Sequence, residues 1–532
     1  MIFDLAIVGS GFGGALLAMV ARRLGKSVLL LEQGSHPRFA IGESTSPLMN
    51  LLIEEIAHTY DLPRLLPLAT YGAWKTHYPE LGVGLKRGFT YYGTQPGERL
   101  LVAASPGDAC ADTHWLRADV DHFLVKEAIA LGVAYQENTP LTRHEHIGDI
   151  WHLNEHTAYF LVDATGPGKL WSKDVGFAGY PKTEALYSHF VRVKGASLLC
   201  ASLPQPLPSP ETLVPRGEGR GVEEGRGVRG VGSPPSFPPT KEGFRRREGA
   251  GGRDAHRREA YPYPPDAAAS HYVFPGGWMW ILPFDNGVTS AGFAVESWLA
   301  DELQLSEGNQ AAWERFLVRF PAIQAQFAAA KPIEKWHYAR KLSYRAANAV
   351  GEGYLRLPSA AGFIDPLYST GMPLTLLGIQ RIAKLLTEGV TPGGLAAYEA
   401  TTFAELDWVA EFIAANYAAF ADFPRFVDTT MFYFAAASFS ELARRTGRSD
   451  LVKGYLLTQN PQFRQSFQAW KQNKIPLTDA IAPWNAAGLA DKGKNNLYGM
   501  DLEDVAKSAA KLEKTEAEMR EIIATADWAQ CE

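Results

Sequence analysis

Glycines at a fixed spacing are the first residues whose pattern indicates chemistry. The segment GSGFGG places Gly9, Gly11 and Gly14 at the first, third and sixth positions of a GxGxxG pattern. The first glycine permits a tight turn, the second lets the backbone approach a pyrophosphate, and the third lets a helix pack on a strand. Glu32 ends the next apolar run, where a carboxylate can bind ribose hydroxyls. Together with Gly13, these residues predict a dinucleotide site.

A second group with chemical potential is the aromatic segment GGWMWILPF at 276–284. Alternate side chains of a strand share a face, so Trp278 and Trp280 are predicted to point the same way. Pro283 then removes a backbone donor and stiffens the chain. Two large rings on one face form a wall, which either packs in an ordinary core or borders a closed passage for a small reactive species.

The composition narrows the kind of molecule. The chain has 532 residues, 46% of them hydrophobic, and a net charge of −6, which suits a buried core in more than one domain and indicates neither nucleic acid nor membrane as a partner. Cys110, Cys200 and Cys531 are far apart and match no zinc spacing, so we expect no disulfide framework and no metal site. Without a basic leader or a long apolar run, a cytoplasmic protein is expected.

The glycines follow a short apolar run and precede a helical stretch and a second apolar run, which together predict a βαβ unit. The remaining pattern predicts helices at 44–60 and 116–131, strands at 85–103, 158–166 and 354–364, a hairpin turning at Asn286-Gly287, and mainly helices after Ser369. Residues 203–266 are rich in Pro, Gly, Arg and Glu and have no apolar period, so we expect a disordered insertion there.

Two later turns favour FAD as the dinucleotide. VDATGP contains Asp163 and Gly166, and FIDP places Asp365 between a strand and a helix. Both resemble the flavin-contacting segments of large FAD monooxygenases. Arg117 stands where that superfamily often has an arginine near the flavin, and a solvated arginine is the alternative interpretation. No second GxGxxG pattern follows a strand, so reducing equivalents are expected to come from a separate protein.

Three ordered segments resemble the signatures of flavin-dependent halogenases. PRFAIGESTSP, with Arg38 and Ser44, resembles the Pro-Arg…Gly-Glu-Ser segment of that family. WMWILP is similar to its Trp-x-Trp-x-Ile-Pro signature, with Leu282 in place of isoleucine. FIDPLYSTG resembles the Phe-x-x-Pro-x-x-Ser-x-Gly signature at Phe363, Pro366, Ser369 and Gly371.

The resemblance implies an α/β fold. Its parts would be a Rossmann-type FAD-binding domain (GR2-like, as in p-hydroxybenzoate hydroxylase), an inserted mixed β-sheet substrate domain and a helical C-terminal region. In this chain the FAD-binding segment and part of the substrate sheet would occupy 1–202, the insertion 203–266, the rest of the sheet with the return to the FAD domain 267–390, and the helical region 391–532.

The resemblance also implies a mechanism. A separate flavin reductase supplies FADH2, and oxygen with chloride or bromide then gives hypohalous acid. Thr370 and Gly371 would bind the halide through their backbone, with Ser369 in the same turn. The oxidant would follow a dry passage, lined by Trp278 and Trp280, to a lysine that delivers the halogen to an electron-rich aromatic ring.

The family pattern has a strand lysine with an aromatic residue five positions later. Lys86 and Tyr91 match it, with Gly88 between them, and Lys75 is the second candidate. A desolvated lysine with a lowered pKa is the usual reactive form, whereas most lysines only carry surface charge. We expect Lys86→Ala to keep FAD binding and to lose halogenation.

The residue before the signature serine bears on the acceptor. Tryptophan-halogenating members have glutamate there and this chain has Tyr368, which favours phenol, pyrrole or indole acceptors, free or carrier-bound, over free tryptophan. The expected partners are a transient flavin reductase and this small aromatic, in a monomer or homodimer. One alternative is an FAD-dependent monooxygenase or oxidase acting on a small aromatic or a protein side chain. Another is a non-catalytic FAD-binding protein.

Overall fold

The computed structural model describes residues 2–166, 170, 173–195, 263–489 and 501–530. Within these residues the strands are β1 (Ile2–Val8), β2 (Val28–Leu31), β3 (Val83–Lys86), β4 (Gly88–Tyr92), β5 (Arg99–Ala103), β6 (Asp112–Trp115), β7 (Ala134–Gln136), β8 (His144–Ile147), β9 (Ile150–Leu153), β10 (His156–Asp163), β11 (Thr183–Val191), β12 (Ala269–Phe274), β13 (Gly277–Pro283), β14 (Val288–Glu296), β15 (Lys331–Pro332), β16 (His337–Ala339), β17 (Tyr344–Arg345), β18 (Val350–Gly351), β19 (Tyr354–Arg356) and β20 (Gly362–Phe363). The helices are α1 (Phe12–Arg23), α2 (Pro47–Thr59), α3 (Tyr71–His77), α4 (Arg117–Ala130), α5 (Ser297–Glu302), α6 (Gln310–Arg319), α7 (Pro321–Phe327), α8 (Pro358–Ala361), α9 (Gly371–Glu388), α10 (Pro392–Ala419), α11 (Phe423–Arg445), α12 (Pro461–Lys471), α13 (Leu477–Ile481), α14 (Leu502–Lys507) and α15 (Glu516–Thr525).

The first sheet carries the glycine pattern. Its strand order is β18-β19-β10-β1-β2-β7, with β8 and β9 attached beside β10, and β19, β10, β1, β2 and β7 run parallel. The predicted βαβ unit is β1-α1-β2. Val8 pairs with Asp163 at the carboxyl ends of β1 and β10, so the GSGFGG and DATG turns lie side by side at one edge. That edge is where open α/β sheets bind ligands.

The second sheet is mixed and carries the tryptophans. Its strand order is β15-β11-β14-β13-β12-β4-β5, with β16 also paired to β11. Only the β12–β4 pair among these is parallel. Trp278 and Trp280 belong to the core shared with the helical region, whereas Met279 and Ile281 pack in a separate core with α5 to α7. The predicted shared face of the two tryptophans is confirmed.

Two predictions of secondary structure need correction. The strand predicted at 354–364 is interrupted by α8, because Pro358 lacks an N–H for a sheet and has a φ suited to the start of a helix. Residues 203–262 of the insertion predicted at 203–266 lie outside the described residues. Tyr263, near its end, is buried and donates to the Phe89 carbonyl at 2.7 Å, so disorder is wrong for that residue.

The expectation of no disulfide is also wrong, because Cys110 is disulfide-bonded. In the part of the chain that the structure describes, no helix is both long and apolar enough to cross a bilayer. The same residues contain no cluster of three or more His, Cys, Asp or Glu side chains that could hold a metal ion.

Candidate active site

The beginning of α1 has the geometry of an anion site. Gly9 has a φ of +104°, and a Cβ on Gly14 would lie 1.9 Å from the Gly9 carbonyl oxygen, so this close approach of helix and strand requires glycine. Gly11 precedes α1 without a side-chain cap, and the first turn contains no acidic residue. The N–H groups of this turn are therefore available to a pyrophosphate.

Glu32 is buried beside this turn. Its Oε2 accepts hydrogen bonds from the backbone N–H and the hydroxyl of Ser10, both at 3.0 Å, and its Oε1 accepts one from the Gly34 N–H at 3.1 Å. Burial alone would raise the pKa of Glu32, but these bonds and the charge of Arg38 outweigh burial and lower it. The carboxylate is thus charged, and Oε1 retains a lone pair for a ribose hydroxyl.

Two guanidinium groups flank the glycine turn. Arg117 is only 6% exposed, binds Asp121 through two bonds of 2.8 and 2.9 Å, and donates to the carbonyls of 41–42. The alternative interpretation of Arg117 as a solvated arginine is therefore wrong. A Cβ built on Gly11 would lie 3.6 Å from Arg38 Nη2 and 3.8 Å from Arg117 Nη2. The Asp121 Oδ2 atom, which is paired with Arg117, lies 3.7 Å from the same Cβ. Two guanidinium groups and one carboxylate therefore border the position where phosphates would lie.

The DATG turn is held by its own side chains. Asp163 accepts from the Thr165 backbone N–H at 3.0 Å and lies 3.4 Å from the Arg356 guanidinium, and both members of this ion pair are buried. Burial raises the pKa of Asp163 against these partners. Gly166 has a φ of +75° and no atom within 4 Å of a built Cβ. Asp163 therefore shapes the turn, while Gly166 leaves space beside it.

The Gly-Glu-Ser segment runs next to β6. Ser44 bridges to His114, and the Thr45 N–H donates to the Thr113 carbonyl at 3.0 Å. The Ser44 hydroxyl is buried and has no hydrogen-bond partner among the described residues. An orphaned buried hydroxyl beside a dinucleotide site is a group that a bound cofactor could satisfy.

The turn before α9 has an unusual backbone. Tyr368 and Ser369 have φ values of 66° and 57°, and Thr370 then returns to the right-handed helical region. A left-handed residue followed by a right-handed one aims successive N–H groups at one point and forms an anion-binding nest. Gly371 begins α9, is exposed, and has nothing within 4 Å of a built Cβ. The predicted halide residues thus lie beside open space.

Side chains from α10 and α11 hold this turn. The Tyr368 hydroxyl donates to Asn416 Oδ1 at 2.7 Å and lies 2.8 Å from the Thr430 hydroxyl. The Tyr433 hydroxyl donates to the Tyr368 carbonyl at 2.8 Å. A left-handed tyrosine is strained and persists only where its surroundings over-determine it. The helical C-terminal region therefore fixes the predicted halide site.

Asp365 joins the same turn to the tryptophan wall. Its buried carboxylate accepts from Trp278 Nε1 at 3.1 Å, the Tyr417 hydroxyl at 2.8 Å, the Tyr180 hydroxyl at 3.3 Å and the Leu367 N–H at 2.9 Å. Burial raises the pKa of the Asp365 carboxyl to about 6 despite these donors. The group remains charged at neutral pH and orients the Trp278 indole.

A row of side chains crosses the mixed sheet at the level of Trp280. The strand register aligns Tyr91, His271, Trp280, Gly292 and Tyr187 in that order. A Cβ on Gly292 would lie 2.4 Å from Cζ2 of Trp280 and 2.3 Å from Cβ of Tyr187. The missing side chain at Gly292 lets the Trp280 indole lie across β14, 5.5 Å from the Trp278 ring.

Lys86 ends β3 in a fully buried position. It is 0% exposed, its Nζ donates to the Thr45 carbonyl, and Nζ lies 3.6 Å from the centre of the Phe89 ring. Burial lowers the pKa of Lys86 to about 7. The Lys75 side chain is 40% exposed and paired with Asp285, which raises its pKa. Of the two predicted lysines, only Lys86 has the desolvated environment of a reactive amine.

Buried rings connect the wall to this lysine. The Trp278 and His271 rings are 5.5 Å apart, the His271 and Phe89 rings 6.3 Å apart, and Phe89 covers the Lys86 amine. The predicted lysine, the tryptophan pair and the turn before α9 therefore belong to one continuous cluster.

Sequence reasoning missed several polar members of the site. Asp112 begins β6 directly opposite Lys86 and accepts from Asn50 Nδ2 at 2.8 Å. Glu43 Oε1 lies 2.7 Å from His189 Nε2, and both are buried. Glu43 could have been found from the sequence, because it lies in the Gly-Glu-Ser segment that resembles the halogenase signature. Nothing in the sequence indicated Asp112, because its position opposite Lys86 depends on a strand pairing that the sequence pattern does not specify.

A dinucleotide site at the carboxyl ends of parallel strands, joined to a mixed sheet, defines a dinucleotide-binding α/β protein. The profile of the family described as "Tryptophan halogenase" matches residues 256–425, and that of the NAD(P)-binding Rossmann-like domain matches 7–63. Together with the relatives and solved structures that follow, these matches show that the chain is similar to flavin-dependent halogenases, and they support FAD as its cofactor.

The relatives have low sequence identity to this chain, but the matches cover most of its length. Monodechloroaminopyrrolnitrin halogenase PrnC of Pseudomonas fluorescens is 25% identical over 452 residues, which cover 79% of this chain and 69% of that protein. Tetracycline 7-halogenase of Kitasatospora aureofaciens is 23% identical over 450 residues, covering 79% and 71%. The structure of halogenase PltM with phloroglucinol and FAD superposes with a TM-score of 0.70 at 20% identity, covering 96% of each chain. The predicted fold class, cofactor and kind of enzyme are confirmed.

Proposed function

We propose that the protein is a two-component halogenase in which Lys86 delivers the halogen to an electron-rich aromatic ring. A separate flavin reductase supplies FADH2. The observation that carries the proposal is the fully buried Lys86 amine at the end of a run of aromatic rings that begins beside the turn before α9. The chemistry that bound, reduced FAD supplies is the oxidation of halide by oxygen to hypohalous acid.

The residues at the sheet edge fit FAD. The first turn of α1 would hold the pyrophosphate, and Glu32 would accept a ribose hydroxyl. The orphaned Ser44 hydroxyl and the open space at Gly371 would face the cofactor. The backbone N–H groups of Thr370 and Gly371 would bind the halide, because the nest and the N-terminus of α9 both favour an anion.

Trp278 and Trp280 would protect the oxidant, and Lys86 would hold the halogen for the acceptor. Trp278 and Trp280 exclude water between the halide turn and Lys86, which protects an oxidant that water would dilute. The same rings keep an acceptor ring away from the cofactor, so the acceptor meets only the halogen held at Lys86. This separation distinguishes halogenation from direct hydroxylation.

The acceptor is proposed to be a phenol, pyrrole or indole rather than free tryptophan. Tyr368 stands where tryptophan-halogenating members have glutamate, and its hydroxyl is engaged by Asn416 and Thr430. Among the relatives, one is a tetracycline halogenase and another, from Pseudoalteromonas luteoviolacea, a brominase of pyrrole-2-carbonyl held on a peptidyl-carrier protein. Free and carrier-bound acceptors are therefore both worth offering.

The test is a reconstituted turnover. The protein would be incubated with FAD, a flavin reductase, NADH, oxygen and bromide or chloride, with a panel of phenols, pyrroles and indoles. Mass spectrometry would look for the halogen isotope pattern. Halogenated product supports the proposal and identifies the acceptor class. Oxygenated product without halogen would move the protein to the monooxygenase class.

Replacing Gly292 with valine should uncouple oxidant production from halogenation. The new side chain must displace the Trp280 indole, because its Cβ alone lies 2.4 Å from that ring. We expect halogenated product per NADH to fall at least about ten-fold, since small displacements in a site carry large kinetic costs. A soluble dimedone trap would capture the escaping oxidant. Thr289→Val, on the opposite face of β14, is the control, and unchanged coupling in Gly292→Val would contradict a sealing role for Trp280.

A further inference from the structure

The residue directly opposite Lys86 is a buried carboxylic acid. Lys86 ends β3 and Asp112 begins β6, and the two form a cross-strand pair. Side chains of directly opposed residues in an antiparallel pair project from the same face with Cβ atoms about 4.5–5.5 Å apart. Lys86 is 0% exposed and Asp112 is 2% exposed. An amine and a carboxyl group thus lie side by side in one dry compartment.

Every contact that the structure gives the Lys86 amine favours a proton on it. Nζ donates to the Thr45 carbonyl, which can only accept. The face of the Phe89 ring lies 3.6 Å from Nζ, and the negative face of an aromatic ring attracts a cation. Asp112, the cross-strand partner of Lys86, acts on the amine electrostatically in the same direction. These neighbours therefore favour the ammonium form and oppose the effect of burial, which lowers the pKa of Lys86 to about 7.

Burial raises the pKa of Asp112 to about 7, and the charge of Lys86 and a hydrogen bond from Asn50 oppose that rise and favour the carboxylate. Oδ1 accepts from Asn50 Nδ2 at 2.8 Å. Oδ2 has no hydrogen-bond partner among the described residues. An unpaired buried carboxylate oxygen is costly unless a cation faces it. The ammonium opposite is the cation available to it.

The other titratable neighbours do not provide this counter-charge. His114 and His271 lie near Lys86, and burial lowers the pKa of both, so they are neutral at neutral pH. Glu441 and Arg445 of α11 act on Asp112 but are paired with each other at 2.8 Å. Tyr433 also acts electrostatically with Asp112, and burial raises the pKa of this phenol.

We propose that Asp112 is the buried counter-ion that keeps Lys86 protonated, so that the working form of Lys86 is an ammonium that holds hypohalous acid by a hydrogen bond. Asp112 is a positioning residue, because it acts through Lys86. This inference rests on the proposed function. It adds the protonation state of the lysine and the residue that sets it.

The ammonium form gives a balanced halogen transfer. A ring carbon attacks the halogen, the carbon–halogen bond forms, and the halogen–oxygen bond breaks with its electron pair on oxygen. Lys86 passes a proton to that oxygen, which leaves as water. The proton lost from the ring carbon returns to the Lys86 amine. Ring and hypohalous acid are thus converted to halogenated ring and water without another reactant.

The direction of the pH effect follows from the charges. Burial lowers the pKa of Lys86 to about 7, and the Asp112 carboxylate opposes that shift. Removing the carboxylate with Asp112→Asn should therefore lower the pKa of Lys86 further. The ammonium would then persist only at lower pH, so the alkaline limb of the halogenation profile should move to lower pH.

The experiment measures the halogenation rate from about pH 5.5 to about pH 9, with NADH oxidation recorded at each pH to correct for flavin supply. In Asp112→Asn the alkaline limb should move down by at least about one unit, which is about a ten-fold loss of rate on that limb. Asp112→Glu should keep the limb in place even if the rate falls. A limb that stays in place or moves up in Asp112→Asn would overturn the proposal.

Matched variants separate the effect of the Asp112 charge from a general disruption of the fold. Asp285→Asn makes the same change at the partner of the exposed Lys75 and should leave the profile unchanged. Should Asp112→Asn fail to fold, Asn50→Leu removes the donor to Asp112 Oδ1. It should move the limb in the same direction by less, because a carboxylate without that donor is a weaker counter-ion. No movement in a folded Asn50→Leu would count against the proposal.

A measurement without turnover keeps the inference separate from the proposed function. Protein carrying [ε-13C]lysine would be titrated by NMR, with the Lys86 signal assigned by its loss in Lys86→Arg. A lower titration midpoint in Asp112→Asn, or in Asn50→Leu if only that variant folds, supports the counter-ion role even if the wild type halogenates no acceptor in the panel. Equal midpoints would overturn the role even if the wild type is an active halogenase.

Discussion

Replacing Lys86 with alanine should abolish halogenated product while FAD binding and NADH-dependent flavin turnover persist. Among the described residues, Lys86 is the one buried lysine, and no other amine can take its place beside Phe89. Loss of a positioned acid–base group typically costs 10²–10⁴-fold, so we expect at least about a 10²-fold fall in product. Mass spectrometry of product and the visible spectrum of bound flavin would measure the two effects.

Two further variants make this result interpretable. Lys86→Met fills nearly the same volume without the charge, so equal loss in both variants would exclude a cavity as the cause. Lys75→Ala changes an exposed lysine and should leave product unchanged. Normal product from Lys86→Ala would remove Lys86 from the mechanism, and loss in Lys75→Ala alone would transfer the role to Lys75.

Replacing Gly14 with alanine should weaken FAD binding strongly. A Cβ there lies 1.9 Å from the Gly9 carbonyl oxygen, which is backbone and cannot move aside as a side chain can. α1 must therefore shift away from β1, and the N–H groups that would hold the pyrophosphate shift with it. Overpacking of this kind costs about 1–3 kcal/mol or more, and we expect FAD affinity to fall at least about ten-fold. A titration of flavin fluorescence and a thermal melt would measure both.

A second glycine provides the control for that change. Gly393 lies in the first turn of α10 and has nothing within 4 Å of a built Cβ. Gly393→Ala should leave FAD affinity unchanged and stabilise the protein by about 0.5–1 kcal/mol, because alanine loses less entropy in a helix. Equal FAD affinity of Gly14→Ala and wild type would contradict the predicted pyrophosphate site.

Local patterns predicted the parts of the fold that depend on local chemistry. The glycine spacing identified the βαβ unit, since a turn, a close approach and a helix start each need glycine. The period of two identified the shared face of Trp278 and Trp280, which the separate cores confirm. The lysine pattern singled out Lys86, whose role stays a prediction, and the structure shows that this lysine is buried.

Features that depend on distant pairing were not predictable. Asp112 meets Lys86 only because β3 pairs with β6, and nothing near Asp112 in sequence specifies that pairing. Gly292 looks like an ordinary strand glycine until the register aligns it with Trp280. The predicted strand at 354–364 failed for a local reason, because Pro358 favoured a helix start over the apolar run around it.

The strained turn before α9 links the proposed halide site to the space for the acceptor. Its tyrosine is anchored by Asn416 on α10 and by Thr430 and Tyr433 on α11. The same helix α11 places Phe426 against the aromatic ring of Tyr91, which stacks on His271. A substitution on α11 that reshapes the space for a new acceptor would also move the N–H groups proposed to hold the halide. Mutations along this helix should therefore be epistatic, and new acceptor ranges should arise at positions whose side chains do not touch the turn.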